Sequence, residues 1–331
     1  MTEAKKSRLD DAIERLEELY GKGSVLTMDS KIRGDYDVIS TGSIGFDWKV
    51  LGIGGFAKKR MYELMGWEGS GKSTVCGHAV AECQKKGGTA LYVDGEHCLD
   101  KIYFQALGVD TSKLIIAQPD YGEEGFNMAV EACRTGDIDL IIIDSDSSLL
   151  PKIVIDGLVG EAAIGRKARL NSDAYPKLKQ ALVNNNVCVI VVSQYREKIG
   201  VMYGSPTTTQ GGHALKFYSD CRIEIARTSF DKTGDGDNTG NVTRVKTTKN
   251  KTFSPYKKTT FNILYGKGID TTSELVELGV GYNILKKSGS WYSYEENKLG
   301  QGANSVRALL NDNSELFDEI KGKIMKAIRD D

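Results

Sequence analysis

Eight consecutive residues constrain this chain more than any other feature. Gly66-Trp67-Glu68-Gly69-Ser70-Gly71-Lys72-Ser73 matches the pattern G-x-x-x-x-G-K-[ST] in full. A short, largely apolar run at 60–65 precedes it, and a helix-forming stretch beginning with Thr74 follows at 74–85. A glycine-rich turn between strand and helix lets several N–H groups face one anion, and the helix N-terminus adds positive field. In that setting Lys72 reaches the β- and γ-phosphates, and the Ser73 hydroxyl holds Mg2+. With 37 glycines in the chain, a turn that contains lysine by chance is the competing reading. The strand-loop-helix context favours the phosphate site, so the chain is expected to bind a nucleoside triphosphate.

The surrounding pattern predicts an α/β fold. Near-continuous apolar runs at 61–65, 89–93, 140–143 and 187–192 alternate with helical stretches. Such runs form a parallel sheet covered on both faces. Runs at 221–226, 242–247 and 259–264 alternate more strictly and predict antiparallel strands, with an exposed hairpin tip at 230–240. Leu9, Ile13, Leu16 and Tyr20 recur at helical spacing near the N-terminus. From about residue 270 the composition shifts to short helices, the aromatic stretch 291–294 and a last amphipathic helix with Leu316, Ile320, Ile324 and Ile328.

A net charge of −1 shows no global attraction to polyanions, so any nucleic-acid contact must come from local patches. The six cysteines include no C-x-x-C pair, and the three histidines do not cluster. That argues against a zinc site or a disulfide framework and predicts a reducing, cytoplasmic setting. The polar N-terminus does not read as a signal peptide, and no apolar run reaches membrane-spanning length.

Further chemistry lies at strand ends. The apolar run 138–143 closes on Asp144, a carboxylate placed to complete a magnesium site beside the phosphate loop through ordered water. Capping of the next turn is the plainer role for such an aspartate. The run 89–93 delivers Asp94-Gly95-Glu96-His97, and either carboxylate could orient a water for hydrolysis; spacing does not choose between them. Residues 195–213 form a long, hydroxyl-rich segment with Arg196 and Lys198 at its start, suited to ordering around a phosphodiester backbone. From 244 to 258 there are six basic residues and no acidic one, which by itself reads as a solvated face.

Several strings together resemble the bacterial RecA recombinases along almost the whole chain. They are Ser40-Thr41-Gly42-Ser43, the phosphate loop, Asp94–His97, Ile143-Asp144-Ser145, Lys198-Ile199-Gly200-Val201-Met202, Gly211-Gly212, Ala214–Tyr218, Lys249-Asn250-Lys251 and Trp291–Tyr294. The resemblance implies a P-loop NTPase core of RecA type, with a mostly parallel central sheet and flanking helices. It gives 1–33 as an N-terminal helix and oligomerisation segment, 34–269 as the ATPase core and 270–331 as a small α/β C-terminal domain. The implied function is an ATP-dependent homologous recombinase. It would polymerise as a helical filament on single-stranded DNA and exchange strands with homologous double-stranded DNA.

The same resemblance implies ATP and Mg2+ as cofactors, with Glu96 activating water and Gln194 sensing the γ-phosphate. Asp100, Tyr103 and Tyr265 fall at adenine-contacting positions. Lys249 and Lys251 would reach a neighbour's ATP, and Phe217 would pack at that interface. Two DNA-binding loops are implied, at 155–165 and 195–210. Arg169, Ser172, Arg196, Lys198, Thr208, Thr209, Gly211 and Gly212 would contact the backbone, with Ile164 and Ile199 wedging between base steps. Single-strand-binding proteins, loading proteins and a repressor are implied as further partners. A non-exchanging DNA filament and a hexameric helicase-type motor are the alternatives. Trp67, Asp146, Pro176, Tyr195 and Glu197 depart from the family pattern.

Overall fold

A computed structural model describes residues 3–25, 36–159, 161, 164–197, 207–232 and 238–330. Its strands are β1 (Val38–Ile39), β2 (Phe56–Ala57), β3 (Met61–Gly66), β4 (Ala90–Asp94), β5 (Ile115–Ala117), β6 (Leu140–Asp144), β7 (Cys188–Glu197) and β8 (Thr207–Thr209). They continue with β9 (Cys221–Lys232), β10 (Asn238–Asn250), β11 (Lys258–Leu264), β12 (Gly268–Ile269), β13 (Leu285–Ser288), β14 (Trp291–Tyr294) and β15 (Asn297–Gln301). The helices are α1 (Glu3–Tyr20), α2 (Lys72–Lys85), α3 (Lys101–Ala106), α4 (Gly122–Thr135), α5 (Lys152–Ile155), α6 (Arg166–Asn184), α7 (Ala214–Tyr218), α8 (Thr271–Gly281), α9 (Ala303–Asp312) and α10 (Ser314–Asp330). Met1–Asp37, which contains α1, and Val38–Asp331 are separate compact units.

The central sheet runs in the order β12-β11-β10-β9-β3-β7-β6-β4-β5. From β9 through β5 neighbouring strands are parallel. These strands read as unbroken apolar runs because helices cover both faces. Val75, Ala79 and Val80 of α2 pack on one face with Tyr92 and Ile142. Phe126 and Val130 of α4, with Tyr175 and Leu178 of α6, pack on the other with Ile141 and Ile143. Successive residues of β6 therefore serve opposite cores, as the two-residue period of a strand requires.

Four features differ from the sequence-based expectation. The edge strand β5 is absent from the predicted set, because Ile115 and Ile116 are exposed and the run is only three residues long. The second is β9, expected as antiparallel: it pairs parallel with β3 and antiparallel with β10, so it is the strand where the sheet changes sense. Third, the hydroxyl-rich segment after Gln194 begins and ends as an antiparallel ribbon, with Tyr195 opposite Thr209 and Arg196 opposite Thr208. The predicted hairpin tip is narrower than 230–240, since β9 extends to Lys232 and β10 starts at Asn238.

The small C-terminal α/β domain has its own core. The three-stranded sheet β13-β14-β15 packs with α8, α9 and α10 around Leu275, Tyr292, Val306, Ile320 and Ile324. Its buried Glu274 accepts hydrogen bonds from the Ser43 hydroxyl at 2.6 Å and from the Ile44 and Gly45 N–H groups. Among the described residues, no helix is long and apolar enough to cross a membrane.

Candidate nucleotide site and nucleic-acid interface

Sheet register assembles the candidate nucleotide site. β3 ends at Gly66, opposite Gln194 of β7, and Asp94 of β4 lies opposite Asp144 of β6. All four positions therefore fall at the C-terminal edge of the parallel strands, where ligands of open α/β sheets bind. Gly71 caps α2 with φ 96°, and a Cβ there would lie 2.4 Å from Ile263 Cδ1. Only glycine satisfies both the left-handed backbone and the close approach of β11.

Lys72 is buried, and its Nζ donates to the carbonyls of Gly66 at 3.2 Å and Trp67 at 2.8 Å. Burial lowers its pKa, opposed by the nearby charge of Asp144 and Glu96. The Ser70 hydroxyl is buried with no hydrogen-bond partner among the described residues, while Trp67, Glu68 and Gly69 face solvent. Ser73 Oγ donates to Asp144 Oδ2 at 2.7 Å, and the Tyr92 hydroxyl donates to the same oxygen at 2.7 Å. Burial raises the Asp144 pKa, although both hydrogen bonds oppose that shift. A hydroxyl and a carboxylate side by side are hard oxygen donors that fit Mg2+, which takes one or two protein ligands and completes its shell with phosphate and water.

The two carboxylates that spacing leaves equivalent have different surroundings. Asp94 is buried and accepts from Gln118 Nε2 at 3.1 Å and from the Cys98 N–H at 3.4 Å, so it braces the turn behind the site. Glu96 is exposed, and its Oε1 accepts from Ser145 Oγ at 2.7 Å and Gln194 Nε2 at 2.8 Å. Of the adenine candidates, Tyr103 is joined to the phosphate-loop helix through Thr74 Oγ1 at 2.7 Å. Asp100 caps α3 by accepting from the N–H groups of Ile102 and Tyr103. Tyr265 is half exposed, and its hydroxyl donates to Asn241 Oδ1 at 2.8 Å.

Lys249 and Lys251 lie elsewhere. Asn250 pairs with Cys221, which in turn pairs with Tyr62 near the start of β3, whereas the phosphate loop leaves β3 at its end. Four residues of strand span about 13 Å. Lys249 Nζ donates to the carbonyls of Lys216, Phe217 and Ser219 at 2.9, 3.0 and 2.6 Å. These are the orphan acceptors at the C-terminal end of α7, where a cation is favoured. Burial lowers the Lys249 pKa, and the charge of Lys251 adds to the shift. Lys251 pairs with Asp220 at 3.7 Å, and Phe217 stands 69% exposed beside this cluster. Both lysines and the phenylalanine thus share one surface, away from their own chain's phosphate loop.

The DNA candidates gather around α6 and the β7–β8 ribbon. Ile164 is 93% exposed just before α6, and Arg169 and Ser172 are exposed at i, i+3 spacing on that helix. Ser172 Oγ donates back to the Ala168 carbonyl at 2.8 Å. Pro176 lies inside α6. Arg196 and Thr208 are exposed opposite one another on the ribbon, and Thr209 is half-buried. Lys198 and Ile199 fall outside the described residues, as do parts of both predicted loops.

A buried network joins the roots of these segments, and sequence reasoning did not anticipate it. Asp146 is 1% exposed; its backbone N–H donates to the Val192 carbonyl of β7 at 2.9 Å. Its carboxylate accepts from the Tyr175 hydroxyl at 2.6 Å, Asn171 Nδ2 at 3.1 Å and Lys167 Nζ at 3.2 Å. Asn171 Nδ2 also donates to the Gly211 carbonyl at 3.1 Å. Gly211 has φ 86°, and a Cβ there would meet Asn171 Nδ2 at 2.2 Å. The start of α6 and the end of the ribbon are thereby held to one buried carboxylate. The spacing of 167, 171 and 175 is the signal that could have revealed it, since residues four apart share a helix face.

Comparison with known proteins agrees with this geometry. The family model described as the RecA N-terminal domain matches residues 7–270, and that of the RecA C-terminal domain matches residues 273–329. The chain is 47% identical over 317 residues to "Protein RecA" of Cytophaga hutchinsonii, covering 96% of this chain and 89% of that protein. It is 44% identical over 328 residues to "Protein RecA" of Macrococcus caseolyticus, covering 99% and 92%. For the protein of the same name from Corynebacterium diphtheriae the identity is 46% over 324 residues, covering 98% and 87%.

Proposed function

The chain belongs to the RecA family, and from that premise we infer how it works. It is a DNA-dependent ATPase and strand-exchange recombinase that binds single- and double-stranded DNA and self-associates into filaments. The observation that carries the mechanism is the 2.8 Å hydrogen bond from Gln194 to Glu96. It ties a carboxylate at the nucleotide site to the strand that continues into the second DNA segment.

In this reading the N–H groups of the phosphate loop and Lys72 bind the β- and γ-phosphates of ATP. Phosphate oxygens take the place of the two carbonyls that hold Lys72. Ser73 and Asp144 would hold Mg2+, which when bound draws charge from the phosphate oxygens. Tyr103, Asp100 and Tyr265 frame the adenine. Glu96 orients and deprotonates the attacking water. Gln194 exchanges its bond to Glu96 for one to the γ-phosphate, and that exchange repositions Tyr195 and Arg196 at the root of the DNA segment.

The placement of Lys249, Lys251 and Phe217 supports their action in trans, on the phosphate loop of a neighbouring copy. Such a cation contributes about 10³–10⁵ in rate elsewhere. Arg169, Ser172, Arg196, Thr208, Thr209, Gly211 and Gly212 would grip phosphates, which position the strand without reading its sequence. Ile164 would wedge between bases; Lys198 and Ile199 complete the proposed set. We further propose the boundaries 1–33, 34–269 and 270–331, a cytoplasmic location, and loading proteins, single-strand-binding proteins and a repressor as partners. ATP hydrolysis that rises with single-stranded DNA, and is lost in Lys72→Ala, tests this function. Turnover indifferent to DNA would contradict it.

A further inference from the structure

Trp67 and Tyr195 connect the phosphate loop to the DNA segment by a route separate from Glu96 and Gln194. The indole stands edge-on to the phenol ring, with centroids 6.0 Å apart and planes at 69°. That arrangement is a favoured one for an aromatic pair. On one side, Tyr195 directly follows Gln194 and pairs with Thr209 across the ribbon. On the other, the Trp67 carbonyl is one of the two acceptors of Lys72 Nζ. A cavity of about 550 Å³ opens beside the rings, lined by Thr208, Thr209, Arg222 and Arg244 among others, so both rings have space to move.

Resting on the recombinase reading above, we propose that Trp67 and Tyr195 are a positioning pair that carries the state of the second DNA segment to Lys72. Phosphate contact at Arg196 shifts Tyr195, its immediate neighbour. The indole follows the phenol ring, and its backbone carbonyl moves with it. Lys72 then leaves that carbonyl more readily for a phosphate oxygen. DNA therefore raises turnover through two contacts: one acts on the water-activating carboxylate and the other on the phosphate-binding ammonium. Neither aromatic residue touches the reacting atoms.

Fluorescence and kinetics on the full chain test the pair. The chain has three tryptophans, so a Trp48→Phe/Trp291→Phe background leaves Trp67 as its sole indole. In that background poly(dT) is expected to shift Trp67 emission in the presence of ATP, and Tyr195→Ala is expected to abolish the shift. In ATPase assays at saturating ATP, Trp67→Ala and Tyr195→Ala each lower the fold-stimulation by poly(dT) about threefold to tenfold, the range of one aromatic pair. The double variant loses no more than the worse single variant, because the two rings act as one unit. Tyr195→Phe keeps the ring and retains the stimulation. Trp67 is 47% exposed, so its truncation leaves no large core void.

Losses that multiply in the double variant would overturn the pair. So would stimulation within twofold of the parent in both single variants, or an emission shift that survives Tyr195→Ala. A parent protein that poly(dT) does not stimulate at all would overturn the recombinase reading and the pair together. A stimulated parent with normal variants counts against the pair alone.

Discussion

Gln194 Nε2 donates to Glu96 Oε1 across 2.8 Å, joining β7 to the turn after β4 at the candidate nucleotide site. Asp94, two residues away, faces inward and bonds to Gln118. The account therefore places hydrolysis on Glu96. Glu96→Ala should lower ATP turnover about 10²–10⁴-fold, the usual contribution of a general base. Its filaments on single-stranded DNA should persist with ATP, as seen by electron microscopy alongside phosphate-release assays. Normal turnover would move the assignment to another carboxylate.

Because Lys249 lies level with Glu63 on β3 and turns its Nζ to the carbonyls ending α7, while the phosphate loop leaves β3 after Gly66, each active site should draw on two subunits. Lys72→Ala and Lys249→Ala should each be nearly inactive alone. Mixed in equal amounts, they should regain about a quarter of parental turnover, because about one head-to-tail junction in four pairs an intact loop with an intact lysine. Lys249 also caps α7, so melting curves of that variant should accompany the assay. A mixture no more active than its components would contradict catalysis in trans.

Buried Asp146 and half-buried Lys167 form an ion pair at 3.2 Å, with Asp146 also held by Asn171 and Tyr175. Removing one partner strands the other charge. Asp146→Ala should cost about 3–5 kcal/mol of unfolding free energy, measured by urea denaturation. Replacing both, as Asp146→Leu with Lys167→Leu, should recover most of that loss, because an apolar pair carries no desolvation penalty. Equal destabilisation in the single and double variants would show that the ion pair is not what matters.

Burial pushes the Asp47 carboxyl up to about 7, and the Glu274 carboxyl likewise to about 7. As pH rises from about 4, these groups ionise in the unfolded chain but stay protonated in the folded one. The unfolded state then binds fewer protons, so stability falls across pH 4 to 7 and levels off above. Asp47→Asn should flatten that decline. Urea midpoints at pH 5 and pH 7.5 give the comparison; an identical pH dependence in parent and variant would contradict it.

Features that depend on local order were legible in the sequence. The phosphate loop and Asp144 sit at the ends of unbroken apolar runs, and a run that must be buried announces its own strand. Spacing alone could not separate Glu96 from Asp94, because the choice depends on what β6 and β7 present across the sheet. By charge pattern alone the lysines at 249 and 251 read as a solvated face; strand order places them beside the end of α7. Asp146 read only as a departure in an apolar context, since its partners come from a helix more than twenty residues away in sequence. The ribbon at β8 is three threonines, whose pairing with β7 no local pattern distinguishes from a loop.

The most direct test of the central claim is a joint-molecule assay. Single-stranded DNA coated with this protein and ATP is mixed with duplexes that either share its sequence or do not. The account predicts joint molecules with the homologous duplex alone, and none when Lys72→Ala replaces the parent. Equal yields on both duplexes, or none on either, would contradict it.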